Sequence, residues 1–126
     1  MEIKVLDGNY AVIQARKPIT GAFANIQDKR EITSVVKEDK VPKDAIKIEK
    51  IWKIIKFNSI LDFSLVGFIS KVSTVLAKEN ISIFLISSYS TDYVLVKKEN
   101  LEKAKKILED LRWKPYNWLT SKEQNI

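Results

Sequence analysis

LDFSLVGFISKVSTVLAKENISIFLISSYSTDYVLV, residues 61–96, decides how the rest of the chain is read. Leu65, Ile69, Val72 and Leu76 recur at steps of four, three and four, which places them on one face of an α-helix. Asp62 or Ser64 can accept hydrogen bonds from the unpaired N–H groups of its first turn, and Asn80 suits the left-handed residue that closes a helix. Residues 81–87, ISIFLIS, are apolar at nearly every position and rich in β-branched and aromatic types, as in a strand covered on both faces. Ser88 to Ser90 turn the chain, and DYVLV from Asp92 to Val96 makes a second short strand. The predicted unit is loop, helix, strand, turn, strand.

LDFSLVG followed by ISIFLISSYSTDYVLV resembles the ACT-domain proteins, and most closely the small bacterial proteins with two tandem ACT-like units. It is also similar to the ACT units of aspartokinases and of CASTOR-type arginine sensors. The resemblance implies an α+β fold, a ferredoxin-like sandwich of two tandem units with the first degenerate: residues 1–45 as the degenerate unit and 46–126 as the ACT domain. It further implies units that pair side by side and hold a small ligand, often an amino acid, at their junction.

Composition sets the outer bounds. A chain of 126 residues with 45% apolar content forms one compact domain or two very small units sharing a core. No run approaches the roughly 20 apolar residues of a membrane span. MEIKVLDG at the N-terminus carries charges where a secretory signal needs an apolar core, so a cytoplasmic protein without membrane association is expected. With no Cys and no His there is no disulfide framework, no thiolate and no imidazole base or ligand. The net charge of +6 is spread thinly: 8 basic and 7 acidic groups in residues 1–45, 7 and 4 in 46–97, 7 and 5 in 98–126. Lys50, Lys53 and Lys56 are the nearest approach to a basic stripe, and that spacing is equally that of a solvated surface. Phe84 and Tyr93 could stack bases on a ferredoxin-like sheet, but the alternating Gly and aromatic motif of RNA-recognition sheets is absent. No nucleic-acid partner is expected.

From the start of the chain, Ile3 and Val5 alternate in Glu2–Leu6, Asp7-Gly8 signals a hairpin, and YAVIQA from Tyr10 to Ala15 is the second strand. Pro18, Thr20 and Gly21 leave no room for an ordinary helix. FANIQ and ITSVVK flank the polar DKRE as another hairpin. Moving that hairpin by sixty residues lays it on the second one, with Val35 on Leu95, Val36 on Val96 and Lys37 on Lys97. Two hairpins alike by chance are the competing explanation. In the repeat reading the helices of the first copy have shrunk to the Ile19–Gly21 segment and to VPKDA, residues 41–45.

IKIEKIWKIIKF, residues 46–57, satisfies both periods: Ile48, Ile51, Trp52 and Ile55 fit a helix, while the density of Ile fits a strand. The ACT resemblance places a strand here, at least from Trp52 to Phe57. A second amphipathic helix is expected from about Glu99 to Leu111, with Leu101, Ala104, Leu108 and Leu111 buried. Tyr116–Leu119 could add an edge strand. One more strand is needed, from this tail or from the N-terminal half, to complete one continuous sheet with the helices on one face.

Catalysis finds little support. There is no G-x-S-x-G elbow, no phosphate loop and no dinucleotide turn, and the hydroxyls of Ser87, Ser88, Ser90 and Thr91 have no evident base. No enzyme activity, no cofactor and no metal are expected. Binding is better served. The loop before the helix offers Asn58, Asp62 and Phe63, then the N–H groups of Ser64, Leu65, Val66 and Gly67, where a carboxylate would be drawn by aligned N–H groups and an ammonium by Asp62. Asp62 is equally suited to a plain N-cap, and Gly67 to close packing of helix on sheet. Ser87, Ser88, Tyr89, Thr91 and Asp92 form the facing turn that the resemblance implies, unless Asp92 only stabilises its own turn. The expected function is a regulatory protein binding a small molecule, an amino acid in the first place, as a homodimer. The alternatives are a ligand-free dimeric module docking on a partner enzyme, or a nucleic-acid-binding ferredoxin-like domain.

Overall fold

The structure is a computed structural model and describes residues 1–58 and 67–111. Its strands are β1 (Ile3–Val5), β2 (Tyr10–Ala15), β3 (Ala24–Gln27), β4 (Ile32–Lys37), β5 (Lys47–Phe57), β6 (Ile83–Ser87) and β7 (Asp92–Lys97), with helices α1 (Phe68–Ala77) and α2 (Leu101–Asp110). They form one seven-stranded sheet in the order β3-β4-β2-β5-β7-β6, with β1 also on β5, and every pairing is antiparallel.

β5 is the centre of this arrangement. Its eleven residues exceed either neighbour, so β1 and β2 lie end to end along one edge of it, Ile3 opposite Phe57 and Tyr10 opposite Trp52. This corrects the hairpin expected at Asp7-Gly8. Gly8 does adopt the left-handed conformation (φ 93). The chain there only steps out and resumes its direction, because β5 offers both segments a longer template than they offer each other. Leu6 N–H reaches Ile54 O at 2.9 Å and Lys53 Nζ reaches Gly8 O at 2.8 Å, which anchors the step. β1 thereby supplies the further strand of the second half.

The sheet has two differently covered faces. On one, α1 and α2 bury Phe68, Val72, Leu76, Ala104 and Leu108 against Ile55, Phe57, Val94 and Val96. α1 begins after Gly67 (φ 89) and closes at Asn80 (φ 58), the left-handed terminus anticipated there. Ile69 packs at the margin of this cluster, while the expected contribution of Leu65 lies outside the described residues, as does the expected strand at Tyr116–Leu119. In the first half the same face is covered without helices: Ile19, Ala22, Val41 and Ala45 pack on Ala11, Ile13, Ala15 and Val36. These are the segments read as shrunken helices. The Asn25 side chain ties the first of them down, accepting from Ile19 N–H and donating to Ile19 O at 3.0 Å each. It also accepts from the hydroxyl of fully buried Ser34.

On the opposite face the sheet curls over its own side chains. Tyr10, Val35, Trp52, Ile54 and Leu95 are buried there, and Phe23 from the first half meets Tyr93 of β7 edge to face, centroids 5.0 Å apart.

Three strands and a 3₁₀ turn of each half correspond, while only the second half carries α-helices. β4 and β7 differ by sixty residues at both ends, each is followed by a single 3₁₀ turn (Glu38–Lys40 and Lys98–Asn100), and β2-β4-β3 repeats the order of β5-β7-β6.

Candidate functional site

The register carries part of the expected site to one end of the sheet. Lys56 stands opposite Tyr93 and Ser87 opposite Asp92, so Asn58, just beyond β5, shares an end with the Ser87–Asp92 turn. Asn58 is exposed, and its N–H donates to Glu2 O at 3.2 Å. Gly67 lies at the start of α1, and its carbonyl accepts from Lys71 N–H at 2.9 Å. Asp62, Phe63, Ser64, Leu65 and Val66 lie outside the described residues. Among the described residues the helix starts at Phe68, with Gly67 as its N-cap.

The turn itself is internally bonded. Ser87 Oγ donates to the Asp92 carboxylate, and Ser88 donates twice to Thr91 O, from N–H at 2.8 Å and from Oγ at 3.3 Å. Thr91 and Asp92 are half-buried, while Ser87, Ser88 and Tyr89 are exposed, Tyr89 at 85%. Asp92 does stabilise its own turn. One carboxylate oxygen still leaves capacity for a cation beside it.

A second locus was hidden in the sequence. Between Tyr10 and Val12 the pairing of β2 with β5 slips by one, because Lys50 and Ile51 together oppose Ala11. Ile51 is left-handed at φ 68, a conformation that costs a β-branched residue roughly 1–2 kcal/mol. Ile51 N–H donates to Glu38 Oε2 at 2.6 Å. Lys97 Nζ donates to Lys50 O at 2.8 Å and to Glu49 Oε2 at 3.1 Å, and stands 4.7 Å from the centre of the Trp52 ring. Trp52 Nε1–H is buried without an acceptor, which costs about 1–3 kcal/mol and is the sole such side-chain atom among the described residues.

Recesses flank this bulge. One, of about 460 Å³, lies between the Ile19–Phe23 segment, Tyr10, Lys37 and Lys40. Gly21 (φ 79) lets its wall turn with open space around the missing Cβ. Burial, and then the charge of Asp7, pushes the Tyr10 phenol above its usual pKa, so it remains a neutral donor. Two ammonium groups beside a phenol suit a carboxylate or another small anion. The other recess, about 590 Å³, is more open and is lined by Lys50, Ile51, Lys97, Lys98 and Glu99. Sequence reading missed both, since their members are distant in sequence and individually look like surface. The Ile19–Gly21 break between strands was the available signal. Among the described residues no cluster of metal-binding side chains converges, and no helix is long and apolar enough to cross a membrane.

The family model for the ACT domain matches residues 47–110, just over half of the chain. The chain belongs to the ACT domain family. The match begins with β5 and ends with α2, so it covers the half whose helices are intact. A solved Agobacterium tumefaciens protein is 27% identical, with a TM-score of 0.73 over 86% of each chain. A Vibrio cholerae protein of unknown function, described as a possible transport protein, is 20% identical, with a TM-score of 0.75 over 84% of this chain and 85% of its own. The ligand-free regulatory subunit of aspartate kinase from Thermus thermophilus is 12% identical, with a TM-score of 0.64 over 88% of this chain and 97% of its own. At those identities the last two establish a shared fold alone. No curated protein matches the chain. ACT domains are regulatory modules, and the antiparallel sheet with its helices agrees with that fold, which supports a regulatory role of ACT type.

Proposed function

We propose that this protein is an ACT-type regulator that binds an amino acid between the segment 58–67 and the Ser87–Asp92 turn, and that it works as a cytoplasmic homodimer. The observation that carries this reading is the register that brings Asn58 and Asp92 to one end of the sheet. The sequence-based members of the site are Asp62 for the ammonium and the N–H groups of Ser64 to Gly67 for the carboxylate, the last of them leading into the N-terminus of α1 at Phe68. The chain is organised as two tandem units, 1–45 degenerate and 46–126 intact. The sixty-residue correspondence of β4 with β7 and of their 3₁₀ turns supports this, although β5 serves both halves.

The competing reading is a ligand-free module that docks on an enzyme. The internally bonded Ser87–Asp92 turn favours it, because those groups do not need a ligand.

Thermal shift with each of the twenty amino acids, on wild type and variants, separates the possibilities. For a ligand at the proposed site, Asp62→Ala and Gly67→Val lose the response while remaining folded, and Lys37→Ala with Lys40→Ala keeps it. The reverse pattern moves the ligand to the recess beside Tyr10. No response at millimolar concentration favours the docking module.

A further inference from the structure

The leading half of β5 is an open strand edge. β2 occupies one side of Lys47–Trp52, but β7 occupies the other side only from Trp52 to Lys56. Lys47, Ile48, Glu49, Lys50 and Ile51 are all exposed, Ile48 at 45% and Ile51 at 51%. Among the described residues no strand covers this edge. An uncovered edge of this kind is a template for another chain.

The directions of its backbone groups follow from two independent contacts. Glu38 N–H donates to Asn9 O at 3.0 Å, so by alternation the odd residues of β2 face β4 and the even ones face β5. Val12 opposes Glu49 and Gln14 opposes Lys47, so Lys47 and Glu49 turn inward and Ile48 turns its N–H and C=O to the free edge. Lys50 O points the same way, since Lys97 Nζ on the β7 side reaches it at 2.8 Å.

From this we propose that two copies of the chain pair antiparallel through this edge, about a two-fold axis at Ile48. Ile48 then exchanges two hydrogen bonds with its partner copy, and each Lys50 N–H meets the other copy's Ile46 carbonyl. The groups left out of this ladder are those already engaged: Ile46 N–H on Gln14 O at 2.8 Å, and Lys50 O on Lys97. Charge selects the register. Centring on Ile48 sets Lys47 against Glu49 of the other copy, twice. Centring on Lys47 or on Glu49 would set like charges face to face. The charges that protect this edge from other strands therefore admit its own. Ile46, at 44% exposure, and Ile48 lie on one face and add the apolar contact.

This gives the interface of the homodimer proposed above and does not depend on the amino-acid site. Sedimentation velocity on the full chain without ligand tests it. Wild type is expected to dimerise at micromolar protein. Lys47→Glu makes both charge pairs repulsive and is expected to weaken the dimer about tenfold or more. No intrachain partner of Lys47 is lost, and circular dichroism checks the fold. Lys47→Glu combined with Glu49→Lys restores opposite charges across the axis and is expected to recover the dimer, since the Glu49–Lys97 ion pair it gives up is exposed and contributes little to the fold. A dimer untouched by Lys47→Glu, or a loss that the double exchange fails to repair, overturns this interface while leaving the homodimer standing. Wild type that stays monomeric at about 100 µM overturns both.

Discussion

Glu38 and Lys97 hold opposite ends of a single peptide: Glu38 accepts the Ile51 N–H at 2.6 Å, and Lys97 donates to the Lys50 carbonyl at 2.8 Å. Glu38 opens the 3₁₀ turn after β4, and Lys97 is the last residue of β7, the strand related to β4 by sixty positions. The two hairpins thus meet at the bulge of the strand they share. An acceptor from one half and a cation from the other fix the left-handed Ile51 between them.

Glycine relieves the strain at that position. Ile51→Gly is expected to raise stability by up to about 1 kcal/mol. The roughly 1–2 kcal/mol cost of a left-handed β-branched residue is removed and partly offset by the greater freedom of glycine in the unfolded chain. Urea denaturation measures it, and a loss of more than about 1 kcal/mol would mean that the Ile51 side chain packs to greater effect than its exposure indicates.

Glu38 has the opposite sign. Glu38→Ala leaves the Ile51 N–H without its charged acceptor and is expected to cost about 1 kcal/mol. That is below the range for a buried charged hydrogen bond because Glu38 is only half-buried. Glu38→Gln retains an acceptor and should lose less than half as much. Equal losses in the two variants, in the same urea experiment, would show that carboxylate charge rather than hydrogen bonding acts there.

Tyr10 makes stability fall at alkaline pH. Burial and the charge of Asp7 raise its pKa in the folded protein above the ordinary 10.0, so folding favours the neutral phenol. This contribution is whole below the unfolded pKa of about 10 and is lost as pH rises through the higher folded value. Between pH 9 and 11 wild type should lose more stability than Tyr10→Phe, which cannot ionise there. Parallel curves for the two proteins would show that the phenol ionises as easily in the fold as outside it.

The bulge also explains what could be read from the residues and what could not. β4 and β7 are legible almost to the residue because ITSVVK and DYVLV sit in regular ladders. In β5 the extra residue shifts the phase of alternation: Ile48 faces the side of Ile13, whereas beyond Ile51 it is Trp52 and Ile54 that face the opposite cluster. That slip gives Ile48, Ile51, Trp52 and Ile55 the spacing of a helix within a strand. Asp7-Gly8 misleads for a related reason, since a turn signal reports a departure from extension and cannot report which strand waits beyond it. Of the site, the Ser87–Asp92 turn is legible from its hydroxyls. The recess of Tyr10, Gly21, Lys37 and Lys40 is assembled by tertiary contact between segments that carry no motif.

Ligand binding remains the centre of the functional account, and the melting temperature of the full wild-type chain against each amino acid at millimolar concentration tests it most directly. A ligand that binds only the folded state at a hundredfold excess over its Kd adds roughly 2 to 3 kcal/mol, enough to raise Tm by several degrees in a domain of this size. At least one amino acid is expected to do so, with saturation on titration. A flat response to all twenty would contradict an amino-acid-binding role.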